Sequence, residues 1–174
     1  MDLERNSMVN ALELWPFGAI RRNHALEHAT ISVLSEGDRD RRLVGRSDWA
    51  GFTLYGPLDT AEVKSAVSTA LQRLRAGEGQ LAIHPHCGTN LATGYVMAGL
   101  TLYAALRGKR RSRLEKALQL ILGLAAALTL AQPLGMKLQE QVTTSCDVDS
   151  LRVKDIRRLQ RGRIIVHRID IAQE

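Results

Sequence analysis

Two stretches of the chain carry no charged side chain at all, Cys87 to Leu106 (CGTNLATGYVMAGLTLYAAL) and Ala117 to Met136 (ALQLILGLAAALTLAQPLGM), each twenty residues long. A helix rises about 1.5 Å per residue, so either block spans roughly 30 Å, the thickness of a bilayer's hydrocarbon core. The spacing predicts a transmembrane helical hairpin over 87–136. Both blocks are rich in Gly, Ala and Thr, residues that let helices approach closely in lipid. A buried hairpin in a water-soluble core is the alternative, and the sharp charge boundaries argue against it.

The loop between the blocks, Arg107 to Lys116, holds six basic residues and one acidic one, whereas 1–86 carries 10 basic and 11 acidic and 137–174 carries 8 and 6. Most of the formal net charge of +6 therefore sits in ten residues, and the mean hydropathy of −0.13 averages over unlike parts. A short Lys/Arg loop between apolar spans marks the cytoplasmic side. That accounts for the basicity better than nucleic acid does, so the expected partner is the lipid bilayer and no nucleic acid. An even number of crossings returns both flanking segments to one side. The stretch Leu12 to Ile20 is too short and too polar for a secretory signal, so which side that is stays open. Small residues such as Gly94, Gly99 and Gly123 permit packing between copies as readily as within one, which leaves a homo-oligomer open.

Outside the hairpin the patterning predicts an α+β protein in which two strand-helix-strand units flank the spans. In the head, 1–86, a helix is expected from Ala19 to Ser35, a Gly- and charge-rich loop from Glu36 to Asp48, and a strand over Gly51–Tyr55. A helix capped by Asp59 or Thr60 then reaches about Ala76, followed by a strand over Gln80–His84. In the tail, 137–174, a strand is expected over Gln141–Ser145, a helix from Asp149 or Ser150 to Gln160, and a strand over Ile164–Ile171. The faint likeness of Asp59-Thr-Ala-Glu-Val-Lys64 to Asp149-Ser-Leu-Arg-Val-Lys154 fits either an internal duplication or two ordinary helix starts. Two such units can join into one four-stranded sheet covered by helices.

The sharpest chemical signal is His24-Ala-Leu-Glu-His28, an H-x-x-E-H arrangement inside the first predicted helix. Residues four apart share a helical face, so His24 and His28 can offer two imidazole nitrogens to one metal, zinc being the natural choice. Glu27 then stands where a carboxylate can act as general base on a metal-bound water. This is the inverted zinc-protease pattern. A third ligand is available from His84-Pro-His-Cys87, whereas Glu62, Glu78, Glu115 and Glu140 are poorly placed for the Glu that such sites usually use. The two cysteines, Cys87 and Cys146, can pair in an oxidising compartment or join one metal site in a reducing one. Gly88-Thr-Asn90 can cap a helix or hold an oxyanion, and His167 has no evident partner.

The segments Arg21-Arg-Asn-His-Ala-Leu-Glu-His-Ala-Thr30, Gly51-Phe-Thr-Leu-Tyr-Gly56, His84-Pro-His-Cys-Gly-Thr-Asn-Leu91 and the pair Thr143-Thr144 together resemble a bacterial family of small membrane proteins of unknown function. The resemblance runs from about Arg21 to the C-terminus. In that family the second motif reads approximately H-P-x-C-G-T-N, so it implies fixed positions at His84 and Cys87 and a variable one at His86. It implies a membrane protein and no established activity. The expectation is therefore a membrane-anchored metal-binding protein, a zinc-dependent hydrolase of peptidase type, with His24, His28 and His84 or Cys87 as ligands and Glu27 as base. Its substrate would be a peptide or the juxtamembrane segment of a membrane protein. The alternative is a non-catalytic membrane scaffold in which the same residues form a structural metal site or a polar network.

Overall fold

The computed structural model describes residues 11–38, 41–107, 112–161 and 164–173. It has two units, Met1–His84 with Glu140–Glu174, and Pro85–Gln139.

In the first unit, helix α1 (Phe17–Gly37) is followed by strands β1 (Val44–Asp48) and β2 (Gly51–Tyr55), helix α2 (Thr60–Arg75) and a short 3₁₀ turn, Gly79–Ala82. Strands β3 (Leu151–Arg161) and β4 (Ile164–Gln173) close it. The four strands form one antiparallel sheet in the order β1-β2-β4-β3. Head and tail therefore share a single sheet, because β2 pairs with β4 over Gly51↔Asp170 to Tyr55↔Val166.

Phe52 and Leu54 of β2, with Ile169 and Ile171 of β4, face a core built against α1 and α2. Side chains of this size that lose all contact with water each contribute about 1.5–3 kcal/mol. Helix α2 presents Val63, Ala66, Val67, Ala70, Leu71 and Leu74, spaced at three and four residues, to that core. Asp59 caps it by accepting a hydrogen bond from the Ala61 N–H. Helix α1 is different: every residue from Ala25 to Ile31 is buried, so it runs through the middle of the unit. Its polar residues need partners there, because an unsatisfied buried polar group costs about 1–3 kcal/mol.

The second unit is a helical hairpin of α3 (Gly88–Arg107) and α4 (Arg113–Leu138), the latter running on into a π turn, Gln139–Thr143, that belongs to the first unit from Glu140 onward. Gly94 lies against Ala131, Gly123 against Thr101 and Gly135 against Asn90, which fixes an antiparallel register. A Cβ on Gly135 would stand 2.7 Å from the Asn90 Cα, so only glycine allows the helices to meet there. Ser112 and Glu115 form a capping box at the start of α4. Pro133 sits inside α4 without ending it.

Five sequence expectations change. Gln80–His84 is not a strand: Gly79–Ala82 coils into a 3₁₀ turn beneath α1. Gln141–Ser145 is not a strand either, because α4 continues as a π turn through Thr143. The expected tail helix is β3, paired residue by residue with β4. With Asp59–Lys64 starting a helix and Asp149–Lys154 leading into a strand, the duplication is removed. Part of the expected loop Glu36–Asp48 becomes β1. Residues 108–111 of the basic loop lie outside the described residues, as do 1–10.

Candidate metal centre

Helix α1 carries His24, Glu27 and His28 on neighbouring turns. The His24 and His28 rings meet with centroids 4.2 Å apart, and His28 lies 6.0 Å from the ring of His84. The structure thus brings three of the expected imidazoles together inside the first unit. His84 follows the 3₁₀ turn, and that turn packs on α1.

Each helix histidine is oriented by a backbone carbonyl. His24 Nδ1 lies 3.0 Å from the Thr143 carbonyl oxygen, and His28 Nδ1 lies 2.7 Å from that of Ala82. A carbonyl oxygen only accepts, so Nδ1 carries a proton in both rings, and Nε2 is the atom through which either ring, when neutral, could ligate a metal. This is the arrangement that fixes the tautomer of a metal-ligating imidazole. The two carbonyls come from segments far away in sequence. No reading of the His24–His28 motif alone finds them, although the Thr143-Thr144 pair was a visible marker. The Thr144 carbonyl accepts at 3.0 Å from Arg21, one turn before His24 on the same helix.

Glu27 is 4% exposed and accepts a hydrogen bond from the Ser47 hydroxyl on β1. Its carboxylate lies directly over Gly45, where an added Cβ would overlap it. Burial holds the Glu27 carboxyl above the usual carboxylate range, while the Ser47 hydrogen bond and the nearby charge of His24 pull it back down. Neither Gly45 nor Ser47 carries a signal of its own in the sequence, where this stretch reads as a loop. Asn23, fully buried, donates to the Asp48 carbonyl at 2.8 Å and ties α1 to the end of β1.

Cys87 is buried, immediately ahead of α3 and three residues beyond His84 in the chain; the Thr89 N–H donates to its sulfur at 3.4 Å. Cys146 lies beside the Gly79 carbonyl, and no disulfide joins the two cysteines. His86 is exposed. Asn90 closes the base of the hairpin, donating to the Pro85 carbonyl and accepting from Gln139, both at 2.7 Å, so the polar start of α3 serves structure. The alternative carboxylates are engaged elsewhere: Glu62 with Arg41, Glu78 with Arg73, and Glu115 in its capping box. His167 is fully buried in β4, with Nε2 3.0 Å from the Thr60 hydroxyl and Nδ1 without a hydrogen-bond partner among the described residues.

The fold and site define a class: an α+β protein with a long apolar helix and a buried His-x-x-Glu-His helix whose imidazoles are held by backbone carbonyls. Within that class the chain belongs to the family described as Domain of unknown function (DUF6391), which it matches over residues 19–156. It is also 39% identical, over 140 residues, to an uncharacterized protein of Picosynechococcus sp. (strain PCC 7002). That match covers 72% of this chain and 66% of the relative, so just under two thirds of the relative's length is spanned. No solved structure matches the chain.

Proposed function

We propose that this chain is a two-pass membrane protein carrying a zinc centre, and that the centre is hydrolytic, of peptidase type. The observation that carries the metal reading is the pair of Nδ1-to-carbonyl hydrogen bonds, the orienting contact that metal-ligating imidazoles use, made by two rings on one turn of α1. His24 and His28 are two ligands, and His84, in the same unit, the third. A metal held this way lowers the pKa of a bound water and polarises a carbonyl. Glu27 takes the proton, a role suited to a carboxyl whose pKa is raised by burial.

Membrane insertion rests on the second unit. The helix Arg113–Thr143 contains a window of mean hydropathy 1.7 of which 6% is buried. Helix α3 is more dilute, with Gly, Thr and Tyr among its leucines, but it leaves Leu91, Val96, Leu100 and Leu106 exposed. Paired as a hairpin, the two helices suit lipid as the surrounding solvent, with Arg107–Lys116 on the cytoplasmic side.

A non-catalytic scaffold is favoured by one specific observation, the engagement of Glu27 with Ser47 over Gly45, which makes the carboxylate a strut between α1 and β1. Metal analysis of purified protein separates the readings. Stoichiometric zinc that survives Glu27→Gln and is lost in His24→Ala/His28→Ala supports the centre; metal-free wild-type protein overturns it. Loss of zinc in Glu27→Gln favours the strut.

A further inference from the structure

The chain has two tryptophans, and both stand on the same surface of the first unit. Trp15 is 75% exposed and Trp49 58%, and their rings meet edge to face with centroids 6.2 Å apart. They line a cavity of ≈ 740 Å³ whose floor is Ala19, Ala50 and Ile171. That volume lies in the range of small-molecule sites.

Trp49 is not exposed by looseness. It occupies the tight turn between β1 and β2, and that turn is held from several sides. The Ala50 N–H donates to the Asp48 carboxylate at 2.8 Å, and the Ile171 N–H donates to the Ala50 carbonyl at 2.9 Å. Asn23 holds the Asp48 carbonyl, and Arg168 grips the Asp48 carboxylate through both Nη atoms at 2.6 and 2.9 Å. A rigid aromatic presented to solvent is a ready-made contact, because little conformational entropy is lost when something covers it.

The cavity lining carries three acidic residues, Glu13, Asp155 and Asp170, and three basic ones, Arg22, Lys154 and Arg157, and among the described residues Lys154 is the one that stands outside the ion pairs. Glu13 is paired with Arg21 and Arg22, Asp155 with Arg157, and Asp170 with Arg157 and Arg168. Lys154 lines the same cavity and has no acidic partner among the described residues. It is also the extra residue of a β-bulge: Val153 pairs with Ile171 and Asp155 with Asp170, leaving Lys154 unopposed. Bulges re-aim a side chain that the regular pleat would send elsewhere.

We propose that this cavity binds a small organic anion with a flat apolar body, the body against Trp15 and Trp49 and the anionic group on Lys154. The site is independent of the metal centre, since it shares no residue with it.

The test uses the full chain in nanodiscs of zwitterionic lipid, titrated with naphthalene-2-sulfonate and, separately, with 2-naphthylmethylammonium. The two indole N–H resonances are the readout, and they report on this cavity alone. Both should shift saturably with the sulfonate, with the ammonium binding about tenfold more weakly. Lys154→Gln should remove most of that preference, and Trp49→Ala should leave the remaining Trp15 resonance unmoved. Equal binding of both probes, or no saturable shift, overturns the proposal. So does a shift that follows anionic lipid added to the disc while the soluble sulfonate has no effect, which makes the surface a bilayer contact instead.

Discussion

The two units of this protein are built inside out with respect to each other. In the first, Phe52, Leu54, Val63, Val67 and Ile169 are buried and, Glu27 apart, the described carboxylates and cations reach solvent, several in ion pairs such as Arg168 with Asp48. In the second, the buried residues of α3 and α4 are Asn90, Ala105, Ala127 and Gly135, while Val96, Leu100, Ile121, Leu122 and Leu128 are exposed. The hydrophobic effect cannot assemble a hairpin that hides its small and polar residues and shows its leucines. Such a hairpin is held by close packing at glycines and by hydrogen bonds such as Asn90 to Gln139, forces that suffice where the solvent is itself apolar.

The comparison can be broken at its strongest point first. Phe52→Ala empties a fully buried site in the first unit and should cost about 3–5 kcal/mol in denaturant unfolding of that unit. A loss below about 1 kcal/mol would show that the sheet has no packed core. Next, Leu122→Arg places a charge at a 70% exposed position in the middle of α4. If lipid surrounds it, insertion should weaken by about 2.5–3.5 kcal/mol, read as a reduced membrane-integrated fraction. On a water-facing surface the same change would stay within about 0.5 kcal/mol, so wild-type behaviour would overturn the inside-out reading.

The smallest effect concerns pH. Burial first, and then the charge of Arg158, hold the pKa of His167 below its ordinary value of about 6.5. The unfolded chain therefore takes up a proton there before the native one does. Stability should be flat above about pH 6.5 and decline as the pH falls below it toward the depressed native value. In His167→Leu that part of the slope should disappear, and an unchanged slope would assign the pH dependence to other groups. The window is distinct from that of Asp48, whose carboxyl Arg168 holds below its usual range and whose contribution is lost only at more acid pH.

The first helix, the Gly51–Tyr55 strand, the Asp59 cap and the two apolar blocks were legible because each rests on local signals: periodicity, a turn dipeptide, a capping side chain, an absence of charge. The tail was misread for an identifiable reason. In β3 the apolar residues Val153, Ile156 and Leu159 recur every three positions, a helical spacing: the bulge at Lys154 sets Val153 and Ile156 three apart, and Leu159, exposed on a regularly paired stretch, extends the same interval. Strand β1, with Gly45, Ser47 and Asp48 among its five residues, has no alternation to read and is held by its pairing with β2.

The sequence by itself determined which residues are available for chemistry and which segments avoid charge, since composition and local spacing need no partner to be read. The His-x-x-Glu-His turn and its candidate third ligands were found in this way. Only the tertiary structure decided how those residues are held: which carbonyls fix the two imidazoles, which hydroxyl meets Glu27, and that a glycine 18 residues after Glu27 makes room for its carboxylate. Those partners lie as far as 119 residues from the helix they orient, and contacts of that range arise only when β2 and β4 pair and join the head to the tail.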